Sequence, residues 1–264
     1  MTRRARPIRF LLTGIAVSAV LAACGGNPPS PALTDPTEIV QAALRSTAAA
    51  KSVHLDVKVD GTATVALPGI GTGTGTPVKV DGTTASVDVD FAAPAAHATF
   101  AAPSLLGFAG ELIAVDGKSY LKTTLTGPLY QESAAAAGPV DPGSAGSVID
   151  NLGDALTKEG VVLTKAADEK CGSEQCYAVT TKLTADQLGI GGAASAGGLP
   201  IDLTGATLDL KVLVEQDAPN HLAGIDGTLT MADGSALTFE VAASRWDQPV
   251  TITAPPADKV KPAS

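Results

Sequence analysis

Aromatic side chains are scarce. Phe, Trp and Tyr make up 3% of the 264 residues, with a single Trp, and His and Cys number three each. So few imidazoles and thiols leave little material for a metal centre or a histidine-based catalytic site. Charge is scarce as well. Asp, Glu, Lys and Arg together are 17% of the chain, against about 25% in typical soluble domains. What charge there is leans acidic, 18 Lys and Arg against 27 Asp and Glu, for a net −9. A nucleic-acid backbone demands a basic surface, so nucleic acid is excluded as a partner. Hydrophobic residues reach 45%, too many for a disordered chain.

The N-terminus carries an address. Arg3, Arg4, Arg6 and Arg9 precede the apolar run 10–22, which is short for a membrane-spanning helix and has the flanks of a signal peptide. It closes on Leu21-Ala22-Ala23-Cys24, the pattern of a bacterial lipobox. Small residues before the cysteine let the signal peptidase approach the backbone, and the thiol receives the diacylglyceryl group. The expected division is 1–23 signal peptide, 24–34 lipidated Cys24 and tether, 35–258 domain and 259–264 tail. Cleavage removes the four arginines and leaves 14 Lys and Arg against 27 acidic residues, net −13. Palmitate-type acyl chains on Cys24 would hold the protein to the cell membrane on its extracytoplasmic side, each buried methylene contributing roughly 0.8 kcal/mol.

Cys171 and Cys176 are separated by four residues, with no His beside them and no second Cys pair. The spacing is poor for zinc and wrong for a Cys-x-x-Cys redox centre, so a local disulfide is expected.

Along the rest of the chain the period of the apolar residues changes repeatedly. Asp35-Pro36-Thr37-Glu38 is a helix start, with a capping Asp and Pro at the first helical position. Apolar residues at helical spacing carry that helix to about residue 50. From Val53 to Leu67 apolar and polar residues alternate, which predicts a long strand with one wet face. Further strands are expected over 85–91, 95–101, 110–115, 118–123, 161–164, 177–183, 207–215, 221–231 and 235–245. Asp116-Gly117 and Asp233-Gly234 supply hairpin turns. An amphipathic helix is expected over 147–158 and a helical turn over 184–188. The Gly-, Ala- and Pro-rich stretches 68–76, 127–146 and 189–200 read as loops. Hairpins dominate and no βαβ rhythm is present. This predicts an α+β domain: a single large curved antiparallel sheet, a half-barrel, with helices packed on its concave face.

Several segments together resemble a known family. They are the lipobox, the stretch Ala50-Lys51-Ser52-Val53-His54-Leu55, the hairpin running from Ile113 through Asp116-Gly117 to Lys122, and the ending from Trp246-Asp247-Gln248-Pro249 to Pro256. In this order and spacing they resemble the LppX/LprA/LprF/LprG envelope lipoproteins, whose architecture is similar to that of the LolA/LolB carriers. The resemblance spans about 35–258. It implies a half-barrel with an apolar cavity between sheet and helices, and a multi-acylated lipid or glycolipid as ligand. Carried onto this chain, it implies cavity walls from Val57 and Val59, from Val87 and Val89, and from Leu105, Leu106, Phe108 and Leu112. Val148 and Leu152 would contribute from the helix, and Leu210, Val212, Leu229 and Phe239 from the last strands. The chain departs from the mycobacterial members in its Cys171/Cys176 pair.

The expected function is therefore lipid binding for transport or presentation across the envelope, by a monomer with no cofactor, no metal and no catalytic residues. An envelope transporter is a further expected partner. The alternative is a non-enzymatic surface module with a filled core, binding an envelope protein or glycan. A hydrolase is the third reading, although no Gly-x-Ser-x-Gly frame is present and His54, His97 and His221 are expected at separate polar-face positions.

Overall fold

The computed structural model describes residues 32–65, 76–134, 152–187, 193–196 and 199–261. The expected signal peptide and Cys24 lie outside the described residues. So do Val148, all but the ends of the 68–76 and 127–146 stretches, and part of 189–200.

The first helix, α1 (Pro36–Ala49), begins where its capping residues dictate. Asp35 Oδ1 accepts hydrogen bonds from the N–H groups of Thr37 at 2.8 Å and Glu38 at 3.0 Å, satisfying donors that have no partner within the helix. Ile39, Val40, Ala43 and Thr47 form its buried stripe.

Among the described residues, fifteen strands follow in one antiparallel sheet. They are β1 (Ser52–Val65), β2 (Thr76–Lys79), β3 (Thr83–Asp90), β4 (Ala95–Ala102), β5 (Phe108–Val115), β6 (Lys118–Thr123), β7 (Gln131–Ala134), β8 (Thr164–Lys165), β9 (Glu169–Cys171), β10 (Glu174–Thr184), β11 (Ala193–Ala196), β12 (Leu199–Asp202), β13 (Thr207–Glu215), β14 (Leu222–Thr230) and β15 (Ala236–Ser244). The main path runs β7-β6-β5-β4-β3-β1-β15-β14-β13-β10-β8 and does not close on itself. The domain is thus α+β, an open half-barrel-like antiparallel sheet with few helices.

β1 bends at Gly61. Before it, β1 pairs with β3 and β15; beyond it, residues 62–65 pair with β2 and Val65 also with β12. Gly61 has φ +124°, and a Cβ there would collide with the Ala236 carbonyl. Only glycine lets the two backbones approach so closely.

Four expectations are corrected. Gln131–Ala134, inside the expected loop 127–146, is strand β7, held by pairing with β6 and by a Lys118–Glu132 ion pair at 2.9 Å. Ala193–Ala196 and Leu199–Asp202 pair as a hairpin where a loop was expected. The strand expected over 161–164 shrinks to Thr164–Lys165. The helical turn expected over 184–188 is a non-helical turn in its described part. In the first three cases cross-strand pairing, which one segment's apolar period does not report, decides the outcome; in the fourth, Thr184 N–H donates to Gln187 Oε1 at 2.9 Å and ties the turn. Of the helix expected over 147–158, the described part is helical over 152–157.

Ends expected as tether and tail are tied to the fold. Leu33 packs against the main core, and its N–H donates to Tyr177 Oη at 3.0 Å. Tyr130 exchanges backbone hydrogen bonds of 2.8 Å with Lys259 and Lys261. Ile252 and Val260 cover Ile113, Tyr120 and Tyr130, so β5 is buried on both faces there, as its unbroken Leu112–Ile113–Ala114–Val115 run requires.

Candidate apolar binding site

Strand register builds one continuous row of side chains across the sheet. Val179 pairs with Val212, Val212 with Ile225, Ile225 with Val241 and Val241 with Val57. The row continues from Val57 to Ala85, Phe100 and Gly110. Because side chains alternate between faces with period two, all of these share the apolar face. The charged residues between them line the other face.

That apolar face changes character along the row. At the β10–β13 end it is filled. Ile39, Val40 and Ala43 of α1, together with Leu156, pack onto Tyr177, Val179, Leu183, Leu208, Leu210, Val212 and Val214, all buried. Leu183 and Val214 are 0% exposed. Across β15, β1 and β3 the same face is half-buried at Phe239, Val241, Val57, Val59, Ala85 and Val87, and again at Phe100 on β4.

The residues expected to line a cavity are therefore divided. Leu210 and Val212 belong to the filled core, and Leu152, Leu229 and Phe239 pack against it. Val89 is buried with Val53 and Ala243, and Val87 packs against that group. Val57, Val59 and Val87 share the half-buried region, and Leu112, buried at 2%, sits on the same face. Phe108 lies at the margin with its ring 5.5 Å from that of Phe100. Leu105 is half-buried, while Leu106 projects into solvent. The strand pattern did not single out Ala85, Ala98 or Phe100 as wall residues, although their alternation with polar neighbours carried the signal.

Two glycines widen this face. Phe239 lies over its cross-strand partner Gly227, and Phe100 over Gly110, so closely that neither glycine could carry a Cβ. The aromatic rings lie flat across the sheet where side chains would otherwise stand.

The opposite face is polar and largely ion-paired. Lys211 meets Glu169 at 2.7 Å and Asp226 at 2.9 Å, and Lys182 meets Asp209 at 3.1 Å. A surface hollow of about 810 Å³ lies over Lys182, Asp209, Lys211, Asp226 and Glu240, and another of about 600 Å³ over Asp56, Lys58, Thr84 and Ser86. Beside these charges and hydroxyls, their linings include Leu210 and Phe239 in the first and Val57, Ala85 and Phe100 in the second. Near the β5–β6 edge, burial would raise the Glu111 carboxyl, but hydrogen bonds from Lys122, Tyr130 and His97 hold it at about 2. Lys122 Nζ donates to it at 2.7 Å and also lies 4.5 Å above the Tyr130 ring.

The histidines are dispersed. His97 binds Glu111 at 2.9 Å, and His221 stacks on Trp246 with ring centroids 5.0 Å apart. His54 Nδ1 is 2.8 Å from Asp88 Oδ1, and its Nε2 is 3.5 Å from Ser86 Oγ. The order is that of a Ser–His–Asp relay, but Asp56 Oδ2 competes for the same Nε2 at 3.3 Å and Arg245 engages Asp88 at 3.2 Å. Ser86 stands mid-strand between β1 and β4, where the ladder occupies the backbone N–H groups an oxyanion would need. Among the described residues no cluster of His, Cys, Asp and Glu could hold a metal ion. Cys171 and Cys176 form the expected disulfide, Cα atoms 5.9 Å apart, bridging β9 and β10.

An open antiparallel sheet, apolar on one face and partly covered there by helices, defines a half-barrel-like α+β fold. Solved structures that share it include two from mycobacteria. LprF from Mycobacterium bovis superposes with a TM-score of 0.53 at 17% identity, covering 85% of this chain and 98% of that one. The lipoprotein LppX from Mycobacterium tuberculosis gives 0.50 at 16% identity, covering 83% and 100%. At such identities the likeness is one of fold. No family model and no curated protein sequence matches the chain. Among the described residues, no helix is long and apolar enough to cross a membrane.

Proposed function

We propose that this chain is a member of the LppX/LprA/LprF/LprG group, anchored through Cys24 on the extracytoplasmic side of the cell membrane. It holds an acylated lipid or glycolipid against the apolar face of its sheet, for transport or presentation across the envelope. One observation carries the reading: a single aliphatic row is filled by α1 at β10–β13 yet half-buried from β15 to β4, where Val57, Val59, Ala85 and Val87 stand. Acyl chains suit such a wall, since burial gains about 25 cal/mol per Å² and needs no directional contact. Loose headgroup selectivity follows, because the half-buried wall is aliphatic and aromatic. No covalent chemistry is involved, and an envelope transporter is the natural partner for delivery.

The test is uptake of an acyl-chain fluorophore by the purified protein. Saturable binding, displaced by a di- or triacylated lipid but not by a water-soluble glycan, is expected. No saturable uptake, with the glycan bound instead, would favour the filled-core module.

A further inference from the structure

Two turns leave the same end of the sheet. One joins β4 to β5 over 103–107, and the other follows β6 over 124–129. Thr124 N–H donates to the Ala109 carbonyl at 2.9 Å and Ala109 N–H to Thr124 Oγ1 at 3.3 Å, tying their stems together. Leu106 at the first tip is fully exposed, Leu125 at the second is 82% exposed, and Leu129 is 36% exposed. Neither 103–108 nor 124–129 contains a charged residue.

Leu106 is unfavourable in two independent ways. Its φ is +56°, Gly107 follows at +71°, and Phe108 N–H donates to the Leu105 carbonyl at 3.0 Å. Such a turn has positive φ at both central positions and favours Asn or Asp before the glycine. The chain uses that favoured pair at the other end of β5, where Asp116 and Gly117 have φ +53° and +70°. At 106 it places instead a leucine, whose Cβ disfavours left-handed backbone and whose side chain gains no burial in the free domain. Strain coinciding with full exposure of a large apolar side chain points to a covering phase that only the functioning molecule meets.

We propose that these turns are a membrane-contact device: Leu106 and Leu125, with Leu129 behind them, enter the acyl region of a bilayer surface. Two leucines on turns that carry no charged residue of their own lack the register-setting contacts of a protein interface. Once residues 1–23 are removed, 14 Lys and Arg face 27 acidic residues, so apolar insertion is the attraction left rather than anionic headgroups. The contact is separate from the point where the tether enters. Leu33 is bonded to Tyr177 on β10, whereas the tips belong to β4–β7, at the other edge of the strand order.

Residues 32–264 contain α1, all fifteen strands and the four apolar clusters, and they pack as one compact unit; they are tested without the lipid anchor. Co-sedimentation with sucrose-loaded phosphatidylcholine vesicles is measured at equal protein. The unit should partition onto vesicles, and Leu106→Asn with Leu125→Ser should lower partition at least tenfold. Leu106→Asn alone should raise the thermal midpoint, because Asn suits that φ. No partition by the unsubstituted unit, equal partition by the double variant, or a lower midpoint for Leu106→Asn would overturn the proposal. So would dissociation of a dimer by the double substitution with vesicle binding unchanged, which would assign the tips to a second copy. Acyl-fluorophore uptake is read separately, so failure here is distinct from failure of the lipid-holding reading.

Discussion

The Phe239 ring lies flat over Gly227, its partner across β14 and β15, and fills the space a side chain at 227 would need. Gly227→Val must displace the ring or the strand, a form of overpacking that costs about 2 kcal/mol. Phe239→Ala should cost stability alone but relieve Gly227→Val in combination. Denaturant unfolding of the four proteins of the cycle measures that coupling.

Filled and half-buried parts of the apolar face should answer differently to substitution. Leu210→Ala, under α1, leaves a hole and should cost about 2–4 kcal/mol with little change in acyl-probe affinity. Val57→Phe adds volume where the face is half-buried; it should change stability by about 0.5 kcal/mol or less and weaken probe uptake. Paired unfolding and titration experiments check both.

Glu215 and His221 form a pair whose pH effects oppose each other. Burial, with Glu174 and Asp217 nearby, pushes the Glu215 carboxyl up to about 7. Burial pushes His221 down, Asp247 opposing, and the two side chains approach to 3.5 Å. A raised carboxyl favours folding most below its unfolded value of 4.5, and that contribution is lost as pH rises toward 7. A lowered histidine acts in reverse, losing stability as pH falls below its unfolded value of 6.5. Between those values the two slopes oppose each other. Glu215→Gln should expose a loss of stability on acidification below about 6.5. His221→Asn should expose a loss as pH rises from about 4.5 to 7. Thermal midpoints across that range, compared with the unsubstituted protein, read both slopes.

Asp35 holds the start of α1 through two N–H groups. Asp35→Ala should cost about 1 kcal/mol and loosen the helix that fills the β10–β13 end. Faster hydrogen exchange at Thr37 and Glu38 would report it.

Much of this architecture is legible in the residues. Leu208, Leu210, Val212 and Val214 alternate so strictly that β13 begins and ends where its pattern does. Asp116-Gly117 marks its hairpin because both positions take positive φ. Gln131–Ala134 and Ala193–Ala196 escaped because Gln, Ser and Ala carry no strand preference, and pairing with a neighbour makes them strands. The site was legible only in part, for a different reason. Val57 and Val212 sit in equally regular alternations on one face, yet Val212 lies in the core beneath α1 and Val57 does not. Which stretch of an apolar row a helix covers is settled by tertiary packing, and strand periodicity carries no record of it.

Occupancy of the half-buried face by an acylated lipid is the property on which the proposed function stands. Native mass spectrometry of the protein, purified without detergent from lipid-rich cells, tests it most directly. A polypeptide mass plus an acylated lipid, which organic extraction removes and identifies, is expected. A mass equal to the bare polypeptide, unchanged after incubation with acylated lipid, would contradict it.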